Sequence, residues 1–280
     1  MEKDLSFRKL IDERIDGYTL MDDAFMTAVL DDNKEGVELI LRTVLDKPDL
    51  EVVDFEVQRE MRNLEGRTSV LDVLARDSSG ALYDIEVQND DRGAHPKRAR
   101  YYSSLMDTHE LPQGMEYESL HESYVIFIAK NDVRGMGLPL YHYVRREIET
   151  NELLGDGTHI VYVNGQYSDD GSNLGKLIAD LRQTDPATMH FEALADKAGL
   201  LKGERKGVAA MGKFWEDIYY EALAEGRAEG LAEGRQEGLA EMGARAAKAV
   251  MDKYGIGLEE AFELVALPAE LRPAAKDFLA

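Results

Sequence analysis

Two acids in one β-hairpin pose the first chemical question. The stretch SVLDVLARDSSGALYDIEVQND, residues 69–90, alternates apolar and polar residues on either side of Ser78-Ser79-Gly80. That connection suits a type I turn followed by a left-handed glycine. In the resulting register Asp77 faces Ala81, Leu74 faces Asp84, Asp72 faces Glu86 and Val70 faces Gln88. Strand alternation then puts Asp72, Asp84, Glu86 and Gln88 on one face, and Leu71, Val73, Ala75, Tyr83, Ile85 and Val87 on the core face. Directly opposed β-carbons lie about 4.5–5.5 Å apart, so facing carboxylates repel. Mg²⁺ offers natural compensation: it takes one or two carboxylates and leaves positions for water and a phosphate. Such an ion can activate water against a phosphodiester. The competing reading is a solvated strand face, common in antiparallel hairpins; Asp84, which shares the face, is read as solvated or, alternatively, as a support behind the paired acids. A one-residue slip in the turn would move Glu86 to the other face, so the inference depends on the register.

The elements around the hairpin must position these acids. HPKRARYYSSLMDTHE (95–110) reads as a helix with Pro96 in its first turn. Lys97, Arg98 and Arg100, interleaved with Tyr101 and Tyr102, form the densest basic and aromatic cluster of the chain. It can face phosphates; a solvated helix face with tyrosines in the core is the alternative. Residues 4–46 look mostly helical, 50–58 strand-like and 59–68 a polar loop. SYVIFIAK (123–130) is a buried strand, 140–150 a helix and HIVYVNG (159–165) another strand, which makes a mixed α/β region. From about residue 172 the signal is helical to the end. We expect three regions: a catalytic-type α/β domain over 1–180, a helical extension over 181–245 and a short helical segment over 246–280. In the extension glycine recurs at 226, 230, 234 and 238. A helix would align these glycines for close approach of a partner helix, giving a homo-oligomer through the C-terminal helices. Interior glycines also weaken an isolated helix, so a solvated spacer is the rival reading.

Composition excludes whole classes. The chain has 55 acids against 33 bases, a formal charge of −22, so any nucleic-acid contact must rest on a local basic patch. Absence of cysteine removes disulfides, thiolate catalysis and Cys-ligated zinc. The six histidines show no i, i+4 zinc pairing, and neither a phosphate-cradling glycine loop nor a nucleophile elbow is present. MEKDLSFRKL is too charged for a signal peptide, and no apolar run approaches the ~20 residues of a membrane span. A cytoplasmic protein without membrane contact is expected.

The sequence of motifs LDV, YDIEVQ and HPKRARYYSSLMD resembles the PD-(D/E)XK nuclease family transposases, also called recombination-promoting nucleases. MDDAFMTAVL, SYVIFIAKND, LLGDGTHIVYVNG and the Glu-Gly-Arg repeats are similar as well, so the likeness spans roughly residues 15–245. The resemblance implies a restriction-endonuclease-like α/β core, with a central mixed sheet flanked by helices, here carrying a C-terminal helical extension. It implies DNA as substrate and Mg²⁺ or Mn²⁺ as cofactor. Carried over residue by residue, it makes Asp72 and Glu86 metal ligands, with the Val87 carbonyl as a third. Glu86 also helps position the attacking water. Asp23 becomes the first-helix acid, with adjacent Asp22 a substitute. The last motif position falls on Gln88, where the wider superfamily has lysine; an amide orients water but supplies no charge. Arg98 is the candidate for that charge, and Lys97, Arg98, Arg100 and Tyr102 for DNA contact. Thr27 stands where relatives often carry lysine. These departures keep a second reading open, a non-cleaving descendant that binds nucleic acid or protein.

Overall fold

In a computed structural model that describes residues 15–62, 68–89, 93–203, 236 and 238–279, the hairpin forms in the register its turn dictates. Strand β2 (Ser69–Asp77) and strand β3 (Leu82–Gln88) pair through Val73↔Ile85, Leu74↔Asp84, Ala75↔Tyr83 and Arg76↔Leu82. Asp77 fixes the turn. Its Oδ1 accepts from the Ser79 and Ala81 N–H groups at 2.9 and 3.0 Å, and Gly80 takes the left-handed φ of 92° that such a connection needs.

The hairpin sits inside a six-stranded mixed sheet of order β1-β2-β3-β4-β6-β5. Its other strands are β1 (Val52–Met61), β4 (Ser123–Ala129), β5 (Leu140–Tyr143) and β6 (Thr158–Asn164). β1, β2 and β3 are antiparallel, β3, β4 and β6 parallel, and β5 returns antiparallel to β6. Parallel neighbours need a crossover. Between β3 and β4 it is helix α3 (Pro96–Glu110), which covers one face of the sheet. Helices α1 (Asp23–Leu30), α2 (Lys34–Leu45), α4 (Asn173–Arg182) and α5 (Glu192–Gly203) cover the other. With both faces covered, β4 is buried at every residue, sending Tyr124, Ile126 and Ile128 to the four-helix side and Val125, Phe127 and Ala129 to the α3 side.

Several expectations need correction. Residues 140–143 form strand β5 instead of starting a helix, and Arg146 bridges back to Leu153. The segment offers no buried helical stripe, since Ile148 is 93% exposed, whereas Tyr141 packs into the α3-side core. β1 runs on to Met61, into the expected polar loop, because Arg59, Glu60 and Met61 continue the ladder with β2. The boundary expected at 180 falls inside α4, and Leu194 and Ala198 of α5 belong to the same core as Val73 and Ile85. The chain instead divides into Met1–Phe214 and Trp215–Ala280. In the second unit, residues 238–254 are helical and contribute Ala240, Ala244 and Ala247 to a core completed by Ala261, Phe262, Leu267 and Ala275. The glycines at 226, 230 and 234 lie outside the described residues. No described helix is long and apolar enough to cross a membrane.

Lys202 ties α5 to the segment that leads into α1. It is only 7% exposed, and its Nζ donates to the carbonyls of Asp16 (3.2 Å), Tyr18 (2.6 Å) and Thr184 (2.6 Å). An ammonium has three donors, and here each meets a carbonyl. Lys202→Met keeps the stem but strips those acceptors, and is expected to cost about 3 kcal/mol. A lowered urea midpoint at unchanged slope would report it.

Candidate active site

Beyond Val73↔Ile85 the two hairpin strands part. A continuing antiparallel ladder would join the Val87 N–H to the Leu71 carbonyl. Instead the Val87 N–H donates to Asp72 Oδ2 at 3.0 Å, and the Asp72 N–H donates to Glu86 Oε1 at 3.2 Å. The two carboxylates therefore occupy the gap as substitute backbone acceptors, in the expected register but not as a regular ladder pair.

The other neighbour of β2 is distorted at the same level. Pairing of β1 with β2 runs through Val57↔Val73 and resumes at Arg59↔Leu71, skipping Gln58 and Asp72. Gln58 has a left-handed φ of 55°. Across this point the strands exchange faces. Val57 and Val73 pack on the four-helix side, Met61 and Leu71 on the α3 side. Leu71 thus joins the opposite core from the one alternation assigns it, and Asp72 lies at the turning point instead of on the face of Asp84.

The basic helix meets the acids through one residue. Arg98 Nη2 donates to Glu86 Oε2 at 2.6 Å, its Nη1 to Gln88 Oε1 and the Gly93 carbonyl at 3.1 Å each, and its Nε to the Tyr102 hydroxyl at 2.7 Å. Gln88 also turns its amide toward Glu86 Oε2, at 3.4 Å. Lys97 and Arg100 are exposed on the outer face of α3. Tyr102 is 5% exposed, so the expected contact with nucleic acid is overturned; its ring lies in the core and its hydroxyl steers Arg98. The reading of Asp84 as solvated fails too. α3 closes over its face, and the residue is fully buried beside the Glu86 carboxyl, to which a protonated Asp84 can donate.

Crowding of acids in a dry place raises their proton affinity. Burial, then Asp23, pushes Asp72 up to about 7, against the Val87 N–H and Arg98. Burial, then Asp72, pushes Glu86 up to about 8, against Arg98 and the Asp72 N–H. Burial and both neighbours hold Asp84 well above the carboxylate range. Asp23, the first residue of α1, is raised by burial and opposed by the Thr27 hydroxyl and Arg98. Asp22 is engaged elsewhere, accepting from the Thr19 N–H at 2.8 Å and the Asn89 amide at 3.2 Å. The structure thus gathers Asp23, Asp72, Glu86, Gln88 and Arg98. Sequence reasoning missed Gln58, whose Nε2 donates to Thr27 Oγ1 at 3.1 Å. Nothing in a strand-like sequence marks a left-handed glutamine.

Among the described residues no three His, Asp or Glu side chains converge as a ready-made metal cage. The groups facing the gap nevertheless fit a hard divalent ion. Asp72 and Glu86 offer oxygen donors, and the Val87 carbonyl leaves its strand on the same side as its N–H. Asp72, Asp84 and Glu86 crowd around one described guanidinium and hold protons in place of further positive charge, a role that a divalent ion could take over. No curated protein and no solved structure matches the chain. The family model described as PD-(D/E)XK nuclease family transposase matches residues 3–167, from before α1 to just past β6. That match covers more than half of the 280 residues and contains both halves of the parted hairpin, and on it the chain belongs to the PD-(D/E)XK nuclease family transposases.

Proposed function

We propose that this chain cleaves DNA by hydrolysing phosphodiester bonds at the parted end of β2 and β3, with Mg²⁺ or Mn²⁺ held by Asp72, Glu86 and the Val87 carbonyl. The observation that carries this reading is the pair of carboxylates wedged between strands where backbone carbonyls would otherwise sit. The bound ion would supply Lewis-acid polarisation of the phosphate and a water of lowered pKa. Gln88 orients that water through its amide, which Arg98 holds in place. Glu86 shares its positioning. Asp23 assists through water from the four-helix side of the gap. Arg98 brings the positive charge that Gln88 lacks, within reach of charge developing on the phosphate. Lys97 and Arg100 bind the DNA backbone on either side and locally offset the formal charge of −22.

A second reading, a non-cleaving descendant that binds nucleic acid or protein, is favoured by one observation: Arg98 already pairs with Glu86, so the fold has a counter-charge of its own. Supercoiled plasmid, incubated with the full chain in Mg²⁺ or Mn²⁺, separates the two. Nicking that disappears with chelator supports the hydrolase. Intact plasmid in both metals, with no calorimetric metal binding, supports the descendant.

A further inference from the structure

Gln58 is the one non-glycine residue in the described strands with a left-handed backbone, and it stands beside the acid gap. A residue of this kind persists only where its surroundings over-determine it, and such residues cluster at functional sites. Its neighbours define two distinct connections. Through the backbone, Gln58 lies at the skipped partner position of Asp72, where β1 and β2 exchange faces and Asp72 is turned from the ladder into the gap. Through the side chain, its amide donates to Thr27 Oγ1, one turn along α1 from Asp23. That amide fills one acceptor site of the Thr27 hydroxyl, whose single proton is directed to the Asp23 carboxylate beside it. An unstrained 58/72 pair would be the cheaper local structure, and it would return Asp72 to the ladder.

We infer that Gln58 is the positioning residue of the acid site, its left-handed backbone turning Asp72 toward Val87 and its amide holding Thr27 and Asp23. The catalytic consequence rests on the hydrolase reading; the structural consequence does not. The two connections separate by substitution. Glycine accepts the left-handed conformation and lacks the amide, asparagine accepts it and keeps an amide, and β-branched valine rejects it.

The test uses the full chain without metal, following hydrogen exchange of the Val87 amide, then Mn²⁺ affinity by calorimetry and kcat and KM for plasmid nicking. Gln58→Val is expected to speed Val87 exchange at least tenfold and weaken Mn²⁺ at least tenfold while the fold survives. Gln58→Gly is expected to keep Val87 protection and Mn²⁺ affinity, and to lower kcat about tenfold at unchanged KM. Gln58→Asn is expected to recover part of that kcat. If Gln58→Val does not fold, Gln58→Ala, also disfavoured at positive φ, replaces it with the same expectation. Unchanged Val87 exchange in the valine or alanine chain overturns the inference, as does a glycine chain that loses Val87 protection. If the unmodified chain neither binds Mn²⁺ nor nicks, the hydrolase reading falls, and the exchange measurement still decides the role of Gln58.

Discussion

Glu86→Gln is expected to slow plasmid nicking by about 10³-fold and to weaken Mg²⁺ and Mn²⁺ correspondingly. The substitution is close to isosteric, so the amide oxygen can still accept from the Asp72 N–H as Oε1 does at 3.2 Å. What disappears is a full charge in a fully buried position. Metal polarisation of a phosphate contributes several kcal/mol to transition-state stabilisation, and about 4 kcal/mol is a factor near 10³. Asp72→Asn should fall in the same range, because its oxygen can keep the Val87 N–H bond. Alanine at position 72 would also remove that acceptor and mix a folding defect with the chemical one. Single-turnover nicking and calorimetry on folded variants check the expectation. Wild-type rates in both variants would remove Asp72 and Glu86 from the site.

With divalent ions chelated, the protein is expected to lose stability as pH rises from about 4 to 8. Asp72 and Glu86 hold protons up to about 7 and about 8 in the folded chain, against ordinary values of 3.8 and 4.5. Between those limits the folded state binds more protons than the unfolded state, so each pH increase favours unfolding. This contribution is fully present below the ordinary values and is lost once pH passes the raised ones. Mg²⁺ competes with the same protons, so the melting-temperature gap between Mg²⁺ and chelator should widen from pH 5 to pH 8. Arg98→Met sharpens the effect. Without its 2.6 Å partner Glu86 holds its proton to still higher pH. The variant's stability deficit should therefore grow as pH rises past about 8, where the carboxyl of the unmodified chain ionises and pairs with Arg98. At pH 5 Glu86 is protonated and the deficit should be much smaller. A melting-temperature deficit independent of pH would contradict this account of the site.

Legibility in the sequence followed local chemistry. Ser78-Ser79-Gly80 with Asp77 encodes its own turn, and the register from the turn to Val73↔Ile85 follows by counting. Pro96 and the aliphatic run at 123–129 likewise announce α3 and β4. Tertiary overrides left no such mark. Alternation carried past Asp72 puts Leu71 in the wrong core, because the face exchange opposite the left-handed Gln58 leaves no trace in the pattern of residue types. Asp84 looks solvated until α3 is folded over it. Tyr102 looks like a nucleic-acid contact until i, i+4 spacing places its hydroxyl under Arg98. The site is legible as a set of residue types, and the direction each one faces is not.

The family match ends at Tyr167, but the core it belongs to does not. Leu177, Ile178, Leu181 and Leu194 are each at most 1% exposed against the sheet, and Lys202 grips the approach to Asp23 from still further along. Four such side chains at about 2 kcal/mol each amount to about as much as a typical domain's entire net stability, about 5–15 kcal/mol. An expression boundary drawn at the edge of the homologous segment would therefore remove one wall of the folded body. The smallest autonomous fragment that keeps the acids in place must extend at least through Gly203.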